Sequence, residues 1–362
     1  MTDRIHAREP AASDTIAHGG NLHEAATRYG IPYAHWLDLS TGINPHGYPV
    51  PPLPADAWRR LPDEGDGFAE RAARYYGAPD AAHVLPVAGS QAGIRALPAL
   101  LPRATVGIAP LTYGEYAPAF ARAGHEVAPL DAPLDVQLDT LPAALTHVVI
   151  VNPNNPTATH TDAARLLHWH AQLRERGGTL LVDEAFADTL PAARVASLAA
   201  HTGRDGLVVL RSPGKFFGLA GVRAGFVLGA PALLAALRDS LGAWTVSGPA
   251  RHAVSAAFAD AAWQTRMRER LTTESARLAG LLHAHGFATR GTPLFAWTDD
   301  ARAAALHEAL ARRGVWTRLF PPSPRMPSAS VRFGLPGDET EWTRFEQQLQ
   351  QAVDSIDTAR SG

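Results

Sequence analysis

The sequence contains no cysteine among its 362 residues, so disulfides and thiolate metal sites are excluded. Its 16 histidines show no metal-ligand spacing, and we predict no metal site. No apolar run approaches the roughly 18 to 20 residues that a membrane-spanning helix requires. Residues 1–17 also lack the apolar segment of a secretory signal. Together these absences predict a soluble, cytoplasmic protein.

Excess charge of one sign is also missing. The net charge is only −2, so the chain has no excess of positive charge that would attract a nucleic acid or an anionic membrane. We therefore predict neither a nucleic-acid partner nor a membrane partner. With 46% apolar residues, a chain of this length can bury a large core, in two domains or in one domain with an appendage.

Short apolar runs alternate with helical segments from about residue 68 onward. Runs bounded by Gly and Pro, such as THVVIV and GTLLVD, are typical of buried strands in a mostly parallel sheet that helices cover on both faces. After about residue 245 a long helical region leads into the strands and helices of a smaller α+β domain. The predicted fold class is therefore α/β with a second, smaller domain.

The predicted division of the chain follows these changes of pattern. Residues 1–45 are expected to form an N-terminal arm, comprising residues 1–16, and part of the small domain. Residues 46–245 would form the large domain, and residues 246–362 the C-terminal small domain. The Pro- and Gly-rich residues 38–54 are expected to be an extended connector that passes over the body of the protein.

A lysine stands among small residues in RSPGKFFGLAGVRAGF, residues 211–226. Lys215 follows the apolar run GLVVL, so it is expected at a strand end, where it has room to form a Schiff base with a bound carbonyl compound. Arg223 follows eight positions later and could hold a phosphate nearby. The alternative is a solvated lysine without a chemical role.

Asp183 ends the strongly apolar run LLVD. A buried carboxylate is destabilising without a positive partner. A pyridinium nitrogen would be such a partner, and the ion pair would keep the ring protonated so that it accepts electrons. The alternative is an aspartate that backbone groups or a nearby arginine satisfy.

Three further turns carry polar residues at predicted strand ends. Gly89, Ser90 and Gln91 in GSQAG end a strand and open a helix, where backbone N–H groups and the helix dipole can receive a phosphate. Tyr113 in PLTYGEY could stack on a heterocycle, and Asn155 in NPNNPT could hydrogen-bond a phenolic oxygen. Each has an ordinary alternative, which is a turn rich in Gly, Asn and Pro or a core tyrosine.

The motif HGGN, residues 18–21, precedes the segment LHEAATRYG. Asn21 is predicted to cap a short helix that ends at Gly30. The alternative is that HGGN is only a turn before that helix.

Taken in order, GSQ, Tyr113, NPNNPT, DEAF, SPGK and GVRAGF resemble the motifs of the fold-type-I pyridoxal-phosphate enzymes, the aspartate-aminotransferase superfamily. The resemblance covers nearly the whole chain, and the motifs are specific together although each is weak alone. Within that superfamily the sequence is most similar to histidinol-phosphate aminotransferases and to the threonine-phosphate decarboxylases of cobalamin biosynthesis. HGGN followed by DLSTGINPHG resembles the opening of the decarboxylases and favours them.

The resemblance implies a fold-type-I transferase fold, a large domain that binds pyridoxal 5'-phosphate, and a homodimer. Lys215 would carry the cofactor, Asp183 would pair with its pyridine nitrogen, and Tyr113 would stack on its ring; these three are the implied catalytic residues. Asn155 would contact the ring oxygen. The implied cofactor-binding set is Gly89, Ser90, Gln91, Tyr113, Asn155, Asp183, Ser212, Lys215 and Arg223.

The resemblance also implies that the substrate is a small phosphorylated amino acid. Arg332 in SVRFG would bind the substrate carboxylate and Arg318 in VWTRLF the substrate phosphate, since a guanidinium fork suits both anions. The implied substrate-binding set is His18, Gly19, Asn21, Gly42, Asn155, Arg318 and Arg332.

Three positions depart from the family pattern. Phe186 stands where many aminotransferases have a tyrosine that contacts the ring oxygen, and Gly214 replaces a hydroxyl residue that often precedes the lysine. Leu61 occupies the place of a tyrosine that in relatives reaches the other subunit's cofactor phosphate. These departures bear on the strength of cofactor binding.

The reaction that the resemblance favours is decarboxylation of L-threonine O-3-phosphate to (R)-1-aminopropan-2-ol O-phosphate. One alternative is an aminotransferase acting on histidinol phosphate or a related phosphorylated amine, which would form a keto compound instead of carbon dioxide. Another is a noncatalytic ligand-sensing module that keeps the fold. A sensor would have no need of both Lys215 and Asp183.

Overall fold

A computed structural model describes residues 18–130, 140–190 and 197–361. The arm predicted for residues 1–16 lies outside these ranges. In the part of the chain so described, no helix is both long and apolar enough to cross a membrane.

Among the described residues, seven strands form one large sheet in the order β2-β8-β7-β6-β5-β3-β4. Strands β3 to β7 pair in parallel with one another, whereas β8 is antiparallel to both β2 and β7. The predicted mostly parallel sheet is confirmed. In chain order, after a short strand β1 (Leu37–Asp38) outside this sheet, the strands are β2 (Val84–Val87), β3 (Thr105–Ile108), β4 (Glu126–Pro129), β5 (His147–Val151), β6 (Thr179–Asp183), β7 (Leu207–Arg211) and β8 (Gly225–Leu228).

Helices cover both faces of the large sheet. The described helices are α1 (Leu22–Tyr29), α2 (Asp56–Arg59), α3 (Phe68–Tyr76), α4 (Ser90–Ala96), α5 (Tyr116–Arg122), α6 (Ala163–Glu175), α7 (Pro213–Phe216), α8 (Pro231–Leu241), α9 (Gly248–Ala259), α10 (Ala261–Ala284), α11 (Ala303–Ala311) and α12 (Glu339–Ser361). In β6, Leu180 and Val182 belong to an apolar cluster with α3 and α6, whereas Leu181 belongs to another with α4, α5 and α8. Successive strand residues point to opposite faces, so both faces need apolar residues, and the strands are continuous apolar runs.

A second, antiparallel sheet lies in the C-terminal part and has the strand order β12-β13-β10-β9. Helices α11 and α12 pack together, and α11 contacts the sheet. The N-terminal strand β1 pairs in parallel with β11, with Leu37 opposite Val315. The smaller α+β part is therefore confirmed. Its strands are β9 (Arg290–Thr292), β10 (Phe295–Thr298), β11 (Val315–Trp316), β12 (Arg318–Phe320) and β13 (Ser330–Gly334).

Helix α9 follows the domain boundary predicted at residue 245. It nevertheless packs against α3, which is one of the helices that cover the large sheet. Arg71 Nε of α3 donates a hydrogen bond to Ser255 Oγ of α9 at 3.0 Å, and Arg251 of α9 pairs with Asp66 just before α3. These contacts favour a boundary after α9. The division into domains itself stays a prediction.

Candidate active site

Polar residues gather at the edge of the large sheet where its parallel strands end, as expected for ligand sites in such sheets. They border a cleft that encloses about 560 Å³, part of it open to solvent. All nine residues of the implied cofactor-binding set line this cleft, and their individual roles remain predictions. The lining comprises Gly89, Ser90, Gln91, Tyr113, Val151, Asn155, Asp183, Ala185, Phe186, Ser212, Lys215 and Arg223.

Asp183 is the last residue of β6, and only 4% of its surface is exposed. Its carboxylate accepts a hydrogen bond from the Tyr116 hydroxyl at 2.7 Å and another from the Ala185 N–H at 3.0 Å. Burial raises the pKa of Asp183, while these hydrogen bonds and the charge of Lys215 oppose the rise. A further cationic group in the cleft would therefore favour the ionised carboxylate.

Lys215 lies in the short helix α7, close after β7. The connector, residues 38–54, passes beside this helix. There the Asn44 N–H donates to the Lys215 carbonyl oxygen at 3.0 Å, and Asn44 Nδ2 donates to the Phe216 carbonyl oxygen at 2.7 Å. The next contact joins the Tyr48 N–H to the Phe217 carbonyl oxygen at 2.8 Å. The backbone that carries the lysine is thus fixed from outside its own helix.

The Lys215 amine has an altered acidity. Burial lowers the pKa of Lys215 to about 8, the charges of Arg332 and Arg223 add to this effect, and Asp183 opposes it. Its Nζ atom lies 5.9 Å from the centroid of the Phe186 ring. A lysine with a lowered pKa has more of the neutral, nucleophilic amine at physiological pH than an exposed lysine has.

Gly89, Ser90 and Arg223 form a cradle at the start of α4. Gly89 has a φ of +77° and Arg223 a φ of 56°, in the left-handed region that few residues other than Gly adopt. A Cβ atom on Gly89 would lie 2.6 Å from Arg223 Nη2, and one on Gly225 would lie 2.2 Å from the Ser90 nitrogen. Glycine at both positions leaves backbone amides and a guanidinium close together, which suits a phosphate.

Tyr113 faces the cleft next to the N-terminal segment. Its hydroxyl donates a hydrogen bond to Gln91 Oε1 at 3.1 Å, and burial raises the pKa of Tyr113 to about 12. The His18 ring centroid is 6.1 Å from that of Tyr113, and His18 Nε2 lies 2.8 Å from Glu115 Oε1. The first described residue of the chain is therefore at the edge of the cleft.

Arg332 in β13 lies directly across the antiparallel pair from Arg318 in β12. Arg332 Nη1 donates to Asn155 Oδ1, and Arg332 Nη2 donates to the Ser40 carbonyl oxygen at 2.7 Å. Among the described residues, Arg332 Nε has no hydrogen-bond partner. Burial lowers the pKa of Arg332 to about 10, and the charge of Arg318 adds to this effect. Two neighbouring guanidinium groups beside the cleft suit an anionic ligand.

The other implied substrate residues contact the site less directly. A Cβ atom on Gly42 would lie 3.0 Å from a ring carbon of Phe186 in the cleft lining, and one on Gly19 would lie 2.3 Å from the Ser40 carbonyl oxygen. The predicted capping role of Asn21 is confirmed, since its side chain accepts a first-turn N–H of α1 at 3.2 Å. The roles of all three residues in substrate binding stay predictions.

The structure gives a physical reason for one departure from the family pattern. A Cβ atom on Gly214 would lie 2.9 Å from the backbone Cα of Ala220, so a hydroxyl side chain does not fit there without a backbone shift. Phe186 packs edge-on against Phe295, with 5.2 Å between ring centroids. Leu61 is 65% exposed.

Tyr116, Glu115 and Ser40 contribute to the site and were not predicted from the sequence. Tyr116 and Glu115 follow Tyr113 in the motif TYGEY, and both are buried. Their position as polar residues two and three places after Tyr113 was the sequence signal that could have indicated them. Ser40 contacts Arg332 through its carbonyl oxygen, and no residue-type pattern reveals a backbone acceptor.

Residues 62–347 match the family described as aminotransferase class I and II. The chain belongs to this family. The chain is similar to the curated threonine-phosphate decarboxylase of Pseudomonas aeruginosa. The two sequences are 50% identical over 92% of this chain and 97% of the decarboxylase. The threonine-phosphate decarboxylase of a Sinorhizobium species is 43% identical over 90% and 95% of the two chains.

The fold of this aminotransferase-family member is also similar to a solved structure. The histidinol-phosphate aminotransferase from Sinorhizobium meliloti, solved in complex with pyridoxal-5'-phosphate, superimposes with a TM-score of 0.75 and covers 95% of this chain and 100% of its own. At 17% identity, this likeness establishes the fold alone.

Proposed function

We propose that this chain is a threonine-phosphate decarboxylase that uses pyridoxal 5'-phosphate. It converts L-threonine O-3-phosphate to (R)-1-aminopropan-2-ol O-phosphate and carbon dioxide, for the aminopropanol arm of cobalamin. The observation that carries the proposal is the 50% identity to the Pseudomonas aeruginosa decarboxylase over 92% of this chain. The cleft supports it, because Lys215 and Asp183 line one space that Arg332 reaches through its bond to Asn155.

The residues of the cleft fit this cofactor. Asp183 is a buried carboxylate that a protonated ring nitrogen would stabilise. Lys215 supplies an amine with a pKa of about 8, and a Cβ atom on Gly89 would fill the space beside Arg223 that suits a phosphate. When bound, the cofactor supplies an electron sink for the bond that breaks at the substrate Cα.

Two arginines would hold the anionic ends of the substrate. Arg332 would bind the carboxylate, because its Nε has no other partner in the described chain and the side chain contacts Asn155 of the cleft lining. Arg318, opposite Arg332 in the sheet, would bind the phosphate. Fixing both ends sets the rotation about the bond between the substrate nitrogen and Cα, so that the carboxylate and not the Cα hydrogen is positioned for cleavage.

Lys215 would also return a proton to the substrate. With a pKa of about 8, most of the amine is protonated at neutral pH, and a proton held at Nζ can be given to Cα after carbon dioxide leaves. The charges of Arg332 and Arg223, which lower the pKa of Lys215, make that transfer easier. Tyr113 and Phe186 line the same space.

Carbon dioxide release tests the proposed function. Purified protein supplied with pyridoxal phosphate and L-threonine O-3-phosphate should form carbon dioxide and aminopropanol phosphate in equal amounts. Unphosphorylated threonine is the control, and it should bind roughly ten- to a hundredfold more weakly because it lacks the charge-assisted contact to the phosphate. A ketone formed from histidinol phosphate when a 2-oxo acid is supplied as the amino acceptor, without carbon dioxide from threonine phosphate, would identify an aminotransferase instead.

We also propose that the enzyme is a cytoplasmic homodimer. Trp58, Leu61 and Trp244 are apolar but 68%, 65% and 54% exposed, and a second copy would cover them. The segment after Trp244 lies next to α2, since a Cβ atom on Gly248 would lie 2.4 Å from the Ala57 carbonyl oxygen. Light scattering at micromolar concentration should give the dimer mass, and Leu61→Asp should shift it toward the monomer. A fully active native monomer would contradict this proposal, and cell fractionation tests the location.

A further inference from the structure

A buried carboxylate that belongs to none of the implied residue sets lies between the N-terminal segment, residues 18–21, and the cleft. Glu115 directly precedes α5 and is 4% exposed. Its Oε1 lies 2.8 Å from His18 Nε2, and its Oε2 accepts a hydrogen bond from Arg95 Nη2 at 3.3 Å. Burial opposes the ionisation of Glu115, but hydrogen bonds from His18, Gln91 and Arg95 hold its pKa below the usual value.

The partners of Glu115 belong to two different parts of the site. Gln91 lines the cleft and accepts a hydrogen bond from Tyr113, also in the lining, at 3.1 Å. His18 belongs to the N-terminal segment, residues 18–21, and its ring is 6.1 Å from that of Tyr113. One carboxylate therefore joins the residues at the start of α4 to a segment that is about 70 positions earlier in the chain.

The N-terminal segment is held at a second point, near Arg332. The Gly20 N–H donates to Ser40 Oγ at 2.7 Å, and the Ser40 carbonyl oxygen accepts a hydrogen bond from Arg332. The segment thus runs from Glu115 beside the large sheet to the loop that contacts Arg332 of the small sheet. Of its two attachments, the pair between His18 and Glu115 is the one that involves a buried charge.

We propose that Glu115 is a positioning residue, which fastens residues 18–21 at the mouth of the cleft and so places His18 for the anionic end of the substrate. The inference rests on the proposed function for the identity of that substrate. A hydrogen bond to a buried carboxylate is stronger than a neutral one, so this pair holds the segment more firmly than the Gly20 contact. Without it, His18 is no longer fixed beside Tyr113.

Glu115→Gln removes the charge and keeps the shape, and it is compared with the native holoenzyme. The KM for L-threonine O-3-phosphate should rise roughly tenfold, the loss expected for one charge-assisted contact, while kcat stays within about a factor of two. Glu126→Gln is the matched control, because Glu126 is an exposed glutamate at the opposite end of β4 from the cleft. That control should leave KM unchanged.

Two further measurements separate positioning from a general structural role. His18→Gln should raise KM at least as much, because it removes both the contact to Glu115 and the contact of His18 with the substrate. The double variant should be no worse than His18→Gln alone, since Glu115 acts only through His18. In the cofactor-free protein, hydrogen exchange of the Gly20 amide should be at least about tenfold faster in Glu115→Gln, since opening of the segment becomes easier.

An unchanged KM together with unchanged Gly20 exchange in a folded Glu115→Gln protein would overturn the inference. A further rise in KM when Glu115→Gln is added to the His18→Gln protein would overturn it as well. If Glu115→Gln does not fold, the Gly20 exchange rate in His18→Gln decides in its place, because the His18 side chain is 48% exposed and tolerates replacement. Native holoenzyme that releases no carbon dioxide would refute the proposed function instead. The exchange measurement would still decide whether Glu115 fastens the segment.

Discussion

The Tyr116 hydroxyl donates a hydrogen bond of 2.7 Å to Asp183 Oδ2. Tyr116 is the first residue of α5 and is completely buried, so the helix that follows β3 fixes a carboxylate at the end of β6. Burial and the charge of Asp183 raise the pKa of Tyr116 well above its usual value. The hydroxyl therefore remains a donor, and the carboxylate keeps an acceptor position for a cationic ligand.

We expect Tyr116→Phe to weaken pyridoxal-phosphate binding about tenfold, the effect of one lost hydrogen bond to a charged group. The lost bond lowers the pKa of Asp183 in the native protein, so the variant carboxyl has a higher pKa and is protonated more readily as the pH falls. The defect should therefore be larger at acidic pH and smaller at alkaline pH.

Absorbance titrations of the cofactor-free protein across a pH series measure this defect. Tyr33→Phe is the control, since it removes the hydroxyl of a tyrosine that is 53% exposed. Equal affinities of Tyr116→Phe and native protein at every pH would show that the bond to Asp183 has no part in cofactor binding.

The attachment of the cofactor to Lys215 should depend on pH. Burial lowers the pKa of Lys215 from 10.5 to about 8, and the neutral amine is the reactive form. The attachment rate should rise as the pH approaches 8 and level off above it. Removing the charge of Arg332, which lowers this pKa, should move the rise to higher pH in Arg332→Gln but not in Arg332→Lys.

Stopped-flow absorbance measures the rates, and borohydride reduction followed by peptide mapping identifies the residue. Lys215→Ala should bind no cofactor covalently and release no carbon dioxide. A reduced label on another lysine, or a rate that keeps rising to pH 10, would contradict the prediction.

Part of the site follows from the sequence because it depends on strand ends alone. Asn155, Asp183 and Lys215 follow or end β5, β6 and β7, three apolar runs that are recognisable in the sequence. Adjacent parallel strands end at one edge of a sheet, so side chains at these ends can be expected together. Their common cleft is consistent with that reasoning.

Other contacts depend on packing between segments that no local pattern relates. Arg332 bonds the Ser40 carbonyl oxygen across 292 positions of the chain, and Asn44 Nδ2 bonds the Phe216 carbonyl oxygen across 172. A backbone acceptor carries no signature of residue type. The packing of α9 against α3 has no local signal for a related reason, because a helix between two sheets can pack on the side of either.

Gly214→Ser should destabilise the protein although it restores the hydroxyl residue of many relatives. A Cβ atom there meets the backbone of Ala220 at 2.9 Å, and relief of such overpacking costs about 1–3 kcal/mol. Gly221→Ser, seven positions later in the chain, is the matched control, since a Cβ atom at Gly221 meets nothing within 4 Å. Urea unfolding of the two variants measures the difference, and equal free energies of unfolding would contradict the prediction.

Arg318→Ala should change both the affinity for the substrate and the choice of the bond that breaks. Burial lowers the pKa of Arg318, so its guanidinium is partly desolvated and interacts strongly with an anion. Losing one charge-assisted contact to the phosphate should weaken binding of threonine phosphate by roughly 1.5 to 3 kcal/mol, about ten- to a hundredfold. Arg318→Lys keeps the charge without the bidentate fork and should fall between.

The same contact should govern the products. Arg318 holds one end of the substrate in the proposed complex and so restricts rotation about the bond between nitrogen and Cα. In Arg318→Ala that rotation is freer, and more turnovers should end in transamination, which leaves pyridoxamine phosphate in place of carbon dioxide. Counting both products per turnover tests this, with Arg312→Ala, an exposed arginine of the small domain paired with Glu308, as the control. An unchanged product ratio with unchanged affinity would mean that Arg318 does not contact the substrate.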